Sequence, residues 1–291
     1  MESVNSTASE ENIVSVWFVT GASRGLGLEI VKAALSEGHS VVATARDPQS
    51  IEKALPGYSE SLLALPLDVT SENAALAAVQ AAVARFGTID VLVNNAGRGL
   101  VGAVEETSDA EARSVFDINV FGLLTVLRAV TPVLRAARSG RILNISSTGG
   151  VVAWAGWGVY SATKFALEGI TEALRLELEP LGVQVTSVQP GPLRTDFLAS
   201  SSLGHVSRVI DDYATTGGAS REWAASSHGQ QEGDPEKAAQ AILTIAAADE
   251  MPARLPLGTS TLGDIRTKLT AVGDELEKWQ ELSRSTDVAS Y

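Results

Sequence analysis

A chain of 291 residues with 45 % hydrophobic side chains is long enough for one large α/β domain or two small ones. A net charge of −13 argues against nucleic acid and anionic membrane surfaces as partners. The sequence has no cysteine, which excludes disulfides and thiol catalysis, and its three histidines are too scattered to hold a metal.

Met1 to Asn12 is polar and acidic and reads as a disordered leader, with a single domain expected over 13–291. No run looks apolar for long enough to cross a bilayer, so a cytoplasmic location is the default. Ile13 to Thr20 reads as a strand buried on both faces. Gly21-Ala-Ser-Arg-Gly-Leu-Gly27 follows at once, and then a helical pattern closes at Gly38. Strand, glycine-rich turn and helix set backbone N–H groups and a helix N-terminus against a pyrophosphate. The spacing is Gly-x-x-x-Gly-x-Gly, not the commoner Gly-x-Gly-x-x-Gly.

A second strand, Ser40 to Thr44, runs into Ala45-Arg46-Asp47. An acid at this strand end binds a free ribose 2′-hydroxyl, whereas an arginine binds a 2′-phosphate. Counting lets Asp47 take the first role. Arg46 is preferred, because Ala45 occupies the position facing the ribose, and NADP is therefore favoured over NAD. Further strands are expected at 62–67, ending in Asp68-Val69, and before Asn94-Asn95-Ala96-Gly97. A long helix is expected over 109–137, with Asn119 on its middle turn. A strand over 141–146 delivers Ser147, and a helix over 158–178 carries Tyr160 and Lys164 on one face, four residues apart. An ammonium one turn from a phenol favours the phenolate, which makes the pair a proton-transfer device. Strands at 184–189 and 253–257 complete seven. Regular β/α alternation predicts a Rossmann-like, doubly wound, seven-stranded parallel sheet with helices on both faces.

With Thr20-Gly-x-x-x-Gly-x-Gly27, Asn94-Asn-Ala-Gly97, Ser147 with Tyr160-x-x-x-Lys164, and Pro190-Gly191 in order, the sequence resembles the short-chain dehydrogenase/reductase family. The likeness is to its 17β-hydroxysteroid dehydrogenase or carbonyl reductase kind. The resemblance implies catalytic roles for Asn119, Ser147, Tyr160 and Lys164. Tyr160 would be the general acid/base, Lys164 would tune it and bind the nicotinamide ribose, Ser147 would hold the substrate oxygen, and Asn119 would hold a relay water. It also implies that Gly21, Ser23, Arg24, Gly25, Leu26 and Gly27 line the cofactor phosphates. Asp68, Val69, Asn94, Ala96 and Gly97 would meet its adenosine side, and Pro190, Gly191, Leu193 and Thr195 its nicotinamide amide.

Residues 196–233 correspond to a substrate lid in that family. Trp154, Trp157 and Phe197, with Leu100 and Val101, suggest an apolar, cyclic or aromatic substrate. An amphipathic tail helix is expected over 261–283, packed on its own domain, with a subunit contact as the alternative. The expected activity is NADP-dependent hydride transfer between the nicotinamide and a carbonyl or secondary alcohol of a small molecule. A non-catalytic NADP-sensing regulator and an epimerase or dehydratase of the same fold are the alternatives. Family members assemble as homodimers or homotetramers, here expected through the helices at 109–137 and 158–178.

Overall fold

Seven apolar runs become seven parallel strands in a computed structural model that describes residues 14–288. The leader expected over 1–12 lies outside the described residues. The chain runs through β1 (Val16–Thr20), α1 (Gly25–Ser36), β2 (Ser40–Ala45), α2 (Gln49–Ala54), β3 (Leu62–Pro66), α3 (Glu72–Phe86), β4 (Val91–Asn94) and β5 (Gly99–Val101). It continues through α4 (Asp109–Phe116), α5 (Leu123–Ala137), β6 (Gly140–Ile145), α6 (Gly158–Leu178), β7 (Val183–Pro190), β8 (Leu203–His205), α7 (Ala219–Ser227), α8 (Pro235–Ala247), β9 (Arg254–Leu257) and α9 (Thr259–Arg284).

The main sheet has the order β3-β2-β1-β4-β6-β7-β9, all parallel. Its order reverses between β1 and β4, and in such folds ligands sit at the carboxyl ends beside that reversal. Alternate residues of β1 serve the two cores. Trp17 and Val19 pack with Ile30 and Val31 of α1 and Ile242 of α8, whereas Val16 and Phe18 pack with Val79 of α3 and Val126 and Val130 of α5. Burial on both faces explains the unbroken apolar runs.

Local signals set the boundaries. Ser71 caps α3 by accepting from Ala74 N, and Gly87 closes it at φ 82°. Ser108 and Glu111 form a reciprocal capping box at the start of α4. Asp234 caps α8 ahead of Pro235, as its sequence predicts.

Four features depart from expectation. The helix over 109–137 runs its expected length, but its middle turn, Asp117–Gly122 between α4 and α5, is π-helical. Gly122 permits the close approach there, since a Cβ on it would lie 2.6 Å from Val69 Cγ2. The stretch Asp109–Ala137 is also long and apolar enough to cross a membrane by length and composition, contrary to the sequence reading. Its apolar side is core, however, with Val115, Val120, Leu123, Val126, Val130 and Leu134 all buried. In addition, α9 meets its own domain chiefly through its first turns, and most of its length stands away from the body. Only Thr261 of the helix is buried, and Leu269 and Leu276 are 60 % and 69 % exposed. A two-stranded sheet, β5 with β8, lies outside the main sheet and has no counterpart in the sequence reading.

Candidate active site

The turn between β1 and α1 is shaped by its glycines. Gly21 and Gly25 have φ of 65° and 56°, which side chains disfavour. A Cβ at Gly27 would meet Gly21 O at 2.5 Å and Asn95 Nδ2 at 2.4 Å. Arg24, the residue before α1, makes no side-chain cap, so the first helical N–H groups have no side-chain acceptor there. Thr20 and Asn95 hold the turn in place. Thr20 Oγ1 accepts from Asn95 N and Ala96 N at 3.0 Å each, and Asn95 Nδ2 donates to Thr20 O at 2.9 Å and Gly21 O at 3.1 Å.

Asn95, absent from the sequence-derived set, is thus the amide that locks the loop. Asn94, which is in that set, turns its side chain into the sheet. It donates to Asn144 Oδ1 at 2.9 Å, is 5 % exposed, and is not part of the cavity wall. The period of two in a strand explains the exchange: adjacent asparagines must point to opposite faces.

A single cavity of about 1190 Å³ extends from Arg46 to the far side of Tyr160. Gly21, Ser23, Arg24, Gly25, Leu26, Ala45, Arg46, Asp68 and Val69 line one end. Ala96 and Gly97 line its middle, and Pro190, Gly191, Leu193 and Thr195 stand opposite. Gly27 lies behind the wall, as its packing role requires. Arg46 is exposed at the cavity mouth and lowers the Asp68 carboxyl, which is held down chiefly by hydrogen bonds from Thr70. Asp47 is not in the wall: its carboxylate accepts from Gln49 N at 3.2 Å at the start of α2.

Ser147, Tyr160 and Lys164 meet at the centre of the cavity. β6 ends two residues before Ser147, and Tyr160 lies in the first turn of α6. The Ser147 hydroxyl beside the phenol pulls it down, yet burial dominates and pushes it up to about 12. Lys164 Nζ donates to Ile145 O at 2.8 Å. Burial pushes its ammonium down to about 8, against the opposing pull of Glu168. The expectation that the ammonium would depress the phenol is therefore not the dominant effect here; desolvation is. Asn119 stands just behind, in the π-helical turn. Its side chain accepts from Arg98 N and donates to Arg98 O, both at 2.9 Å, and to Thr163 Oγ1 at 3.0 Å.

The short chain dehydrogenase family model matches residues 15–204. The chain belongs to this family. It is 36 % identical over 272 residues to oxidoreductase BOA17 of Botryotinia fuckeliana, covering 93 % of this chain and 98 % of that one. A short-chain dehydrogenase from Streptomyces avermitilis superposes with a TM-score of 0.88 at 39 % identity, covering 94 % of this chain and all of that one. ElxO, solved with NADP bound, superposes at 0.72 with 25 % identity over 86 % of this chain and all of its own. A glycine cradle that Cβ atoms would fill, an uncapped helix N-terminus and a long cavity between them and Tyr160 fit the nicotinamide dinucleotide of a short-chain dehydrogenase.

Residues 196–233 close over the far end of the cavity with short helical turns, β8 and α7. Trp157 meets Tyr160 edge-on at 5.8 Å and Trp223 at 6.1 Å, and Phe197 lies 5.7 Å from Tyr160. Trp154, Trp157, Phe197 and Trp223 all line the cavity. Trp223 was missed because its helix follows a segment of weak periodicity. Leu100 and Val101, expected in the pocket, are instead buried in small clusters with Val206 and with Leu203. The covering segment is anchored by acids. Buried Glu106 accepts from Ala103 N at 2.8 Å, Ile210 N at 2.9 Å and Arg221 Nη1 at 2.6 Å, bonds that hold its carboxyl down to about 2. Glu111 accepts from Ser207 N at 2.8 Å, and Tyr213 donates to Glu105 at 2.7 Å. Arg24 Nη2 reaches across from the glycine loop to Ser201 O at 3.0 Å and Ser202 Oγ at 2.9 Å.

Proposed function

We infer that this oxidoreductase is an NADP-dependent ketoreductase or reversible alcohol dehydrogenase, acting on the carbonyl or secondary alcohol of an apolar, cyclic or aromatic small molecule. The observation that carries the reading is Ser147, a buried Tyr160 and Lys164 together in the wall of the cavity whose other end is the glycine loop. When bound, the cofactor supplies the hydride. The chain's residues handle the proton and the charge. Ser147 Oγ orients the substrate oxygen, and Tyr160 Oη gives it a proton as negative charge builds there. Lys164 offsets the charge left on the phenolate. A phenol pushed up to about 12 is protonated at neutral pH and can serve as the acid in carbonyl reduction.

Asn119 supports this set by fixing Arg98 and Thr163 behind Lys164, with its side chain already bonded on both ends. Arg46 at the cavity mouth, with Ala45 before it and the Asp47 carboxylate turned to α2, supports the preference for NADP over NAD. The aromatic walls support the substrate class. The wider reading is a single domain over 13–291 with a lid at 196–233, a cytoplasmic location, and no nucleic-acid or membrane partner. The test is consumption of NADPH against a panel of ketones and aldehydes graded in size: apolar cyclic or aryl ketones should turn over, and turnover with none of them would overturn the reading.

A further inference from the structure

The apolar stripe of α9 is largely uncovered, with Leu262, Leu269, Leu276 and Trp279 exposed and Ile265 and Val272 half-buried, and its spacing is that of a heptad. Leu262, Ile265, Leu269, Val272, Leu276 and Trp279 are separated by alternating steps of three and four. Sustained over nearly three heptads, that pattern matches the seam of a left-handed coiled coil, not the broader stripe of a helix lying on a globular body. The helix has 26 residues, about 39 Å of length. Its root is fixed, with Thr261 Oγ1 2.8 Å from Thr148 Oγ1, so the helix leaves the body in a set direction.

We propose that α9 pairs antiparallel with α9 of a second copy of this chain, as a two-fold symmetric coiled coil. The stripe is self-complementary about a point between residues 270 and 271. Leu262 then faces the partner's Trp279, Ile265 the partner's Leu276, and Leu269 the partner's Val272, so every layer joins an a position to a d position. The flanking charges agree with this orientation. Lys268 and Glu275 both occupy g positions, and antiparallel pairing sets Lys268 against the partner's Glu275, twice by symmetry. Parallel pairing would set Lys268 against glycine and Glu275 against glutamine, with no charge match. Arg266, at an e position, meets the partner's Gly273 in the antiparallel register, and the remaining charges, Asp264, Asp274, Glu277, Lys278, Glu281 and Arg284, fall at b, c and f. That mostly acidic outer face is the reverse of the basic face by which helices seat on anionic lipid. The surface is independent of the proposed activity, because it involves none of the residues assigned to chemistry.

Sedimentation equilibrium of the full chain at micromolar concentration tests this. The wild type should form a dimer, or a tetramer if a second contact also forms. Leu269→Glu with Leu276→Glu should halve that mass while circular dichroism and thermal midpoint of the body stay unchanged, because both positions are exposed in the single copy. Lys268→Glu and Glu275→Lys should each weaken association about tenfold, and the two together should restore it. A monomeric wild type, an unchanged mass in the double-glutamate variant, or a charge swap that fails to restore association would each overturn the proposal.

Discussion

Lys164 Nζ lies 5.9 Å from the centre of the Tyr160 ring and spends its hydrogen bond on the carbonyl of Ile145, 2.8 Å away. The two groups therefore communicate through space, not through a shared hydrogen bond. Burial has moved both toward their neutral forms, the phenol up to about 12 and the ammonium down to about 8. The ammonium is protonated below its pKa, so its support for a developing phenolate is present at neutral pH and lost as pH rises through about 8. The rate of carbonyl reduction should be flat from about pH 6 to 7.5 and fall above about 8. A profile that stays flat to pH 9.5 would contradict this role for Lys164.

Tyr160→Phe removes the proton donor and leaves the ring contacts with Trp157 and Phe197 in place. Turnover should drop at least about 100-fold, as expected for loss of a general acid. NADPH affinity, measured by fluorescence, should stay within about twofold. Retained turnover would remove Tyr160 from the chemistry.

The segment over 196–233 is anchored by a buried carboxylate, Glu106, whose partners include two backbone amides and Arg221. Glu106 is held near 2 in the fold, against an ordinary glutamate value of about 4.3 when unfolded. Its contribution to stability is therefore full above about pH 4.5 and lost as pH falls towards 2. Glu106→Gln should lower the thermal midpoint at pH 7 by roughly 5 °C and flatten its dependence on pH between 4.5 and 3. Thermal melts across that window check both, and an unchanged acid dependence would place the acid-sensitive group elsewhere.

Arg24 joins the glycine loop to the lid through Ser201 and Ser202. The family resemblance implies a phosphate contact for this arginine, and the structure gives its guanidinium a second task. Arg24→Ala should speed hydrogen exchange of the amides over 199–205 about tenfold in the free protein while leaving β1 and β4 protected. Equal exchange in both proteins would show that the latch holds nothing.

Most of the frame was legible because a parallel sheet buried on both faces writes itself as apolar runs, and caps such as Ser71, Ser108 and Asp234 mark where helices begin. The glycine loop was legible for the same local reason. What escaped depends on contacts distant in sequence. Asn95, not Asn94, locks the loop, because strand alternation assigns the faces. Glu106 reads as an ordinary surface acid until Arg221, 115 residues away, is folded over it. The π-helical turn at Asn119 leaves no periodic trace in six residues. The heptad of α9 was visible as an amphipathic stripe, but whether the body covers it is a property of the fold.

The most direct test of the central claim is a titration of the purified protein with NADPH and with NADH, followed by energy transfer from tryptophan to the nicotinamide. Trp154, Trp157 and Trp223 line the cavity and should report binding. NADPH should bind at least about tenfold more tightly than NADH, and Arg46→Ala should erase that difference by weakening NADPH alone. Tighter binding of NADH would return the ribose to Asp47, and binding of neither nucleotide would contradict the account of the glycine loop on which the proposed chemistry stands.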